Sequence, residues 1–398
     1  MAIAGILIVR DLPKSEYAHY VLAINAVTTI SALAEAGVTS TLLSRGGDLL
    51  NRGMNLTRLV QQAARFRLAT YALATAAVVP VFSVLLRGTG ATVPNLAAML
   101  CIAAVSALCS SVSVVSATLL RLGGRFTTAN LILLASATIR LAAVVFVVVA
   151  PVPNPIIAFL VVNTLALLFE SLIASRLATT LVTSGLTDTQ NSYSPALAMN
   201  ARRQIPNSVF YVIQGQALVM ILATLGLSGA IAEVAALSRF SLGFIVVGGV
   251  ISQIFMTSIA RQTSNRSALR KYVQAMMAYL FVATMGFLCI VATPGIWLSI
   301  LGSEYSGLHL ELILISAGGL LSSLIGVVTS LNQARAWTRR AWLFIPATLT
   351  WLTVLALCLR PNDILLASIF FMLAPLAGLP VMLYCAWLGS RGSTTGQR

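Results

Sequence analysis

The chain has 398 residues, 58% of them hydrophobic and only 9% charged, with a formal net charge of +15. A soluble domain of that length has no use for so much apolar surface, so lipid is the solvent for most of it. A nucleic-acid-binding protein would need a clustered basic face on a soluble domain, and none exists here; arginines that mark the loops on one side of a membrane account for the charge.

Residues 1–9 are apolar but too short to span a bilayer, and they lack a basic leading region. They run into Arg10-Asp11-Leu12-Pro13 without a small-residue cleavage site, so they are expected to be a clipped first transmembrane helix and not a signal peptide. Apolar runs of spanning length follow at 17–43, 68–86, 95–120, 127–150 and 156–175. A polar stretch, 176–206, contains Asp188, Asn191 and the pair Arg202-Arg203. Beyond it lie runs at 207–227, 230–259, 274–298, 308–331, 341–359 and 364–388. The expected fold is an all-α polytopic membrane protein of about twelve transmembrane helices, the first truncated, in two six-helix lobes. The expected boundaries are an N-terminal lobe 1–175, a cytoplasmic linker 176–206 and a C-terminal lobe 207–398 ending in a short cytoplasmic tail.

Charge placement tests this map. Numbered alternately, the breaks of one set and the tail hold nineteen of the 25 Lys and Arg residues, from Arg45 to Arg398. The other set holds only Arg10, Lys14, Arg87 and Arg360, and Arg140 and Arg239 fall inside spans. That asymmetry is the positive-inside pattern, and it makes the richer side cytoplasmic. The halves also echo each other. Pro153-Asn154-Pro155-Ile156 and Pro361-Asn362-Asp363-Ile364 precede spans at an offset of 208, and Glu16 to Arg45 parallels Glu233 to Arg261 at an offset of 216 to 217. Six spans per copy would give both copies one orientation, about an axis along the membrane normal, with a path between the lobes near the midplane.

Four ionisable residues lie within spans: Glu35, Arg140, Glu170 and Arg239. Glu35 stands ten residues before Arg45, hence roughly 15 Å in from the arginine at the membrane edge. A central Arg or Asp costs roughly 2.5–3.5 kcal/mol to insert, which disfavours a lipid-facing placement. Glu35, Glu170 and Arg140 fit either a buried ion pair locking the first lobe or a cavity wall that relays protons or ions or holds an anion. Arg239 has no acid deep in its own lobe, although Glu233 lies one to two turns away. The planar guanidinium fork suits phosphate and keeps its charge at any physiological pH.

Other chemistry is sparse. The five cysteines fall within apolar runs and read as small packing residues, with neither disulfide nor metal spacing. His19 and His309 sit in or near outer breaks without metal spacing. Gly248-Gly249 and Gly318-Gly319 lie within spans, where small residues let helices approach closely. No Walker lysine motif and no Gly-x-Ser-x-Gly elbow is present, so an ATPase and the commonest hydrolase are not encoded, and neither an enzyme nor a cofactor is expected.

Several motifs resemble the bacterial polysaccharide and oligosaccharide flippases (Wzx-like) of the multidrug/oligosaccharidyl-lipid/polysaccharide exporter superfamily. Leu12-Pro13-Lys14-Ser15-Glu16-Tyr17-Ala18-His19-Tyr20 resembles that family's outer loop LGPEEYGLY. Ala34-Glu35-Ala36-Gly37-Val38 with Leu42-Leu43-Ser44-Arg45 is similar to its helix end ADLGL…LVR, with Glu for Asp, and Ile300-Leu301-Gly302-Ser303-Glu304-Tyr305 to its LLFGPEY break. The chain departs from the family in its short first helix and in lacking an acidic-basic pair around Gln214-Gly215-Gln216-Ala217. The resemblance implies an alternating-access carrier in the bacterial inner membrane that flips a lipid-linked oligosaccharide, carried on undecaprenyl pyrophosphate. On that reading Arg239 and Arg140 are the deep cations for the pyrophosphate, Arg45 guards the cytoplasmic mouth, and Glu35 and Glu170 are relay or gate residues. The candidate partners are the bilayer, H+ or Na+ as coupling ion, and other polysaccharide-assembly membrane proteins. Two alternatives stay open: a cation-coupled drug or small-solute exporter of the same superfamily, and a membrane glycosyltransferase, polymerase or ligase of the same pathway. The latter calls for a large outer loop with a catalytic cluster, and the outer breaks are all short.

Overall fold

The computed structural model describes the chain apart from residues 1, 36–37, 40–41, 43–45, 47–48, 50–55, 151, 183–198, 200–208, 211–213, 261, 263, 336, 338–339 and 392–398. Among the described residues all regular structure is helical. Lipid offers no hydrogen-bond partners, and a helix satisfies its backbone groups without leaving its own segment. The helices are α1 (Ala2–Asp11), α2 (Lys14–Glu35), α3 (Thr57–Gly88), α4 (Val93–Leu122), α5 (Phe126–Val149), α6 (Pro155–Val182) and α7 (Gln214–Thr224). They continue with α8 (Ser228–Ala260), α9 (Asn265–Ala292), α10 (Pro294–Leu301), α11 (His309–Ala334), α12 (Phe344–Leu359), α13 (Ile364–Leu373) and α14 (Gly378–Arg391).

Ten helical segments among the described residues are long and apolar enough to cross a membrane, α13 and α14 counting as one span joined through a short turn at Pro375. Large apolar side chains point away from the protein along these spans: Phe146 is 70% and Phe281 69% exposed. Water would penalise such a surface at about 25 cal/mol per Å², whereas lipid tails do not. The protein is thus an all-α polytopic membrane protein. It divides into two lobes, one from Ile3 to Ser228 and one from Gly229 onward.

Several boundaries differ from the sequence expectation, for one recurring reason: hydropathy finds the lipid-embedded part of a helix and misses its polar ends. α3 begins at Thr57, well before the expected span at 68, because Gln61, Gln62 and Arg65 are helical despite being polar. α6 continues to Val182, into the stretch expected as a linker, most of which lies outside the described residues. The expected span 274–298 contains two helices, because Pro294 cannot continue α9 and instead opens α10. Of the expected span 207–227, only α7 is described at helical length. α7 also groups with the first lobe, not with the 207–398 unit. The end of α3 fits closely against it: a Cβ on Gly88 would lie 3.3 Å from the Ala223 carbonyl oxygen.

Turn chemistry shapes the ends of the spans. Gly90 and Gly124 have φ of +89° and +75°, a backbone conformation costly for residues with a Cβ. After α4 the Gly124 N–H donates to Arg121 O and the Arg125 N–H to Leu120 O, and α3 closes in the same way through Gly90 and Ala91. The repeated Pro-Asn motif opens a span in both halves: α6 begins at Pro155, and α13 at Ile364, where the Asp363 carboxylate accepts the Leu366 N–H at 2.8 Å.

Within the first lobe the Tyr71 hydroxyl donates to Ala104 O at 2.8 Å, joining α3 to α4, and Ser106 and Thr164 share a 2.6 Å bond between α4 and α6. In the second lobe buried uncharged side chains bond to neighbouring backbones: Ser323 to Phe244 O at 2.7 Å and Asn332 Nδ2 to Met382 O at 2.9 Å. Here small residues are structural. A Cβ on Gly318 would fall 2.7 Å from Phe371 Cδ1 and 2.8 Å from the Phe371 carbonyl oxygen, so α11 and α13 meet backbone to side chain at that point. On Gly249 a Cβ would meet nothing within 4 Å. Gly318→Ala is therefore expected to lower stability by about 1–3 kcal/mol, since α13's backbone must move. Gly249→Ala is expected to be neutral or mildly stabilising. Thermal unfolding of the two variants in detergent checks the contrast.

Candidate functional site

Two sets of charged side chains lie inside the first lobe. The first joins α4, α5 and α6. Glu170 on α6 is 8% exposed and accepts a hydrogen bond from the Ser113 hydroxyl of α4. Arg140 on α5 is 9% exposed and lies in the electrostatic field of the Tyr20 hydroxyl and the Glu170 carboxylate. Among the described residues its Nε has no hydrogen-bond partner, although Arg140 is engaged through another contact. The Ser136 hydroxyl donates to Ala166 O at 3.1 Å, tying α5 to α6 one turn from both charges. Such a constellation fixes three helices through one carboxylate, and each charge offsets part of the other's desolvation.

The second set joins α2 and α3. Glu35 ends α2 half-buried, and its Oε1 accepts the Thr39 hydroxyl at 2.9 Å. The Thr70 hydroxyl of α3 reaches Ala34 O at 3.1 Å, which brings α3 against the end of α2. One turn before Thr70 stands Arg67, only 4% exposed, and the Glu35 carboxylate acts on its charge. Among the described residues none of Arg67 Nε, Nη1 and Nη2 has a hydrogen-bond partner. A guanidinium so desolvated costs several kcal/mol unless charge or acceptors meet it.

Arg67 is the residue that sequence reasoning missed. It was counted among the arginines of a cytoplasmic break, yet it is helical and buried. The signal was helical periodicity: Leu59, Ala63, Arg67, Ala74, Val78, Phe82 and Leu85 recur at helix spacing and are all buried on one face of α3. An arginine on the apolar stripe is an inward-facing arginine. Arg65, two positions earlier, falls off that stripe and is exposed.

The sequence-predicted candidates separate accordingly. Arg140 lies in the field of Glu170, which fits either of the two readings left open. Glu35 instead acts on Arg67. Arg239 is half-buried on α8, beside the edge-to-face pair of Phe240 and Trp297 with centroids 5.4 Å apart. It makes a contact of its own within the molecule, and so does Glu233. Arg45 lies outside the described residues. Among the described residues no three His, Cys, Asp or Glu side chains stand close enough to hold a metal ion.

No protein-family model and no curated protein matches the sequence. Solved structures do match the fold. A multidrug resistance MATE family transporter of the MOP superfamily, in an inward-facing conformation, superposes with a TM-score of 0.74 at 15% identity, covering 99% of this chain and 95% of its own. The lipid II flippase MurJ, in an inward closed conformation, gives 0.72 at 13% identity, covering 96% and 84%. A MOP superfamily transporter from Pyrococcus furiosus Vc1, described as having a binding pocket of reverse polarity, gives 0.52 at 13% identity, covering 97% and 90%. The chain therefore has the two-lobed fold of MOP superfamily transporters, and these neighbours are transporters and flippases, not enzymes.

The charge sets predict a coupling that mutation can read. Glu35→Gln strips Arg67 of its countercharge, and Arg67→Gln leaves Glu35 facing a neutral amide. Each single change is expected to lower the melting temperature, and the double variant to recover part of the loss, with a coupling of about 1–3 kcal/mol. Thermal unfolding in detergent measures this cycle. Strict additivity of the two losses would dissolve the couple.

Proposed function

We propose that this protein is a flippase that moves a lipid-linked oligosaccharide, carried on undecaprenyl pyrophosphate, across the bacterial inner membrane by alternating access. The observation that carries the reading is the presence of guanidinium groups within the membrane-spanning helices: Arg67, Arg140 and Arg239, beside Glu35, Glu170 and Glu233. Arginine in the interior suits an anionic cargo, because a diphosphate offers oxygen pairs to planar forks. The low dielectric of such an interior strengthens each of those bonds relative to water. The superfamily fold, a neighbour that flips lipid II, and the sequence resemblance support the same reading.

In this mechanism Arg239 meets the pyrophosphate. Arg140 serves mainly to hold α5 against α6 through Glu170. Glu35 acts as the gate, because its carboxylate is half-buried and accepts the Thr39 hydroxyl at 2.9 Å. A cation-coupled exporter is the second reading, and the half-buried Glu35 carboxylate favours it as a group that can meet a coupling cation. The two readings part at the cargo.

The test follows lipid-linked oligosaccharide in the inner leaflet together with the level of protein in the membrane. Arg239→Lys keeps the charge and loses the fork, and it is expected to retain partial export. Arg239→Ala is expected to lose export at least tenfold with the protein still present. Arg140→Ala is expected to lose the protein itself, because Glu170 is left buried without its countercharge. Full export by Arg239→Ala would remove that residue from the path, and drug efflux without lipid accumulation would move the assignment to the exporter. Orientation is read independently. Cysteines introduced at Thr92 and Gly307 are expected to label from the periplasm, and one at Ser264 only from the cytoplasm.

A further inference from the structure

Arg239 stands within α8, and the second lobe keeps its carboxylates toward one end of its spans, where Arg360 also lies. Its carboxylates are Glu233, Glu304, Glu311 and Asp363, near the start of α8, around the start of α11 and at the start of α13. The other ends of its helices carry basic residues and no acid. At that basic end α9 begins with Arg266, Arg270 and Lys271 in its first two turns, where the helix dipole is also positive. Three cations on the positive end of a dipole repel one another and attract an anion.

Two of the neighbouring cations are spent within the protein. Lys271 Nζ bonds the Ser258 hydroxyl, and Arg335 bonds Gln262 O and Asn265 Oδ1 at 2.7 Å each. Arg266 and Arg270 are exposed, and among the described residues neither guanidinium has a partner. Both line an open groove of about 840 Å³ together with Ser267, Leu269 and Val273. The apolar side of that groove continues along α9. Val273, Met277, Phe281, Met285 and Leu288 follow Arg266 and Arg270 at helical spacing, and they are 49%, 62%, 69%, 53% and 49% exposed. From Val273 to Leu288 this stripe rises roughly 22 Å, more than the ~15 Å that one leaflet of hydrocarbon occupies.

A cationic head followed by an apolar track of leaflet length is the complement of one molecule class. We propose that Arg266 and Arg270 bind the headgroup phosphate of an anionic glycerophospholipid, whose acyl chain lies along Val273, Met277 and Phe281. The fork of each arginine takes a pair of phosphate oxygens, and the missing acids of that end are supplied by the lipid. This site faces lipid on the outer surface of one lobe, and it does not depend on what the protein transports.

The experiment uses the purified full chain in neutral detergent. Thermal unfolding and native mass spectrometry are read after adding mixed micelles of phosphatidylglycerol, mixed micelles of phosphatidylcholine, or inorganic phosphate alone. Phosphatidylglycerol is expected to raise the melting temperature by several degrees and to leave at least one lipid bound; phosphatidylcholine and inorganic phosphate are not. The double variant R266Q/R270Q is expected to lose most of that gain and the retained lipid, and R266K/R270K to keep part of both. R121Q/R125Q, which removes two exposed arginines at the end of α4, is expected to keep the whole effect. An equal gain from phosphatidylcholine or from inorganic phosphate would overturn the proposal. So would an undiminished gain in R266Q/R270Q, or an equal loss in R121Q/R125Q.

Discussion

A charge among lipid-embedded helices must be met where it stands, because neither water nor lipid tails can meet it. That constraint organises the first lobe. Glu170 takes a hydroxyl from α4 and faces the arginine of α5, so one carboxylate ties three helices. Glu35 and Arg67 impose a similar relation on α2 and α3, with Thr70 holding the two helices in register. Packing alone would leave these helices free to slide along apolar faces of much the same composition. The charged sets remove that freedom, since sliding by a turn would separate each carboxylate from its arginine.

The fold was largely legible in the sequence because lipid simplifies the code. Spanning runs, one-sided arginines and Pro or Gly at the breaks sufficed to foresee an all-α polytopic chain in two lobes. The same simplification explains the errors. Hydropathy is blind to helix that continues past the lipid, so α3 and α6 were drawn short, and Pro294's interruption was absorbed into one span. The site was legible by depth and not by partner. Glu35, Glu170 and Arg140 were recognisable as inward-facing because their spans are otherwise apolar, whereas their pairing depends on which helices pack together. Arg67 was lost because it lies among other arginines, and only its place on the buried stripe of α3 distinguishes it from Arg65. Periodicity outranks composition at the ends of spans.

Fold and cargo are written in different residues. The apolar periodicity, the glycine turns and the close helix crossing at Gly318 produce the transporter architecture, and none of them bears on what is carried. A ligand inside such a fold can be recognised only by the few polar groups the interior tolerates. That set is small among the described residues, and it restricts the chemistry far more than the fold does.

The two lobes also meet their polar groups differently. In the second, buried Ser323, Ser241 and Asn332 bond to backbone oxygens of neighbouring helices, neutral bonds whose strength does not change with protonation or with an arriving ion. In the first, carboxylates and guanidinium groups carry the corresponding load. A neutral tie is indifferent to the charge of a ligand, while a charged couple is weakened or strengthened by every ion that comes near it. The charged ties of the first lobe, and Arg239 in the second, are therefore the contacts that respond to an ionic ligand. Apart from Arg239 and Glu233 on α8, the second lobe holds its described charges at or near the ends of its helices, and its buried hydroxyl and amide groups bond to backbone acceptors.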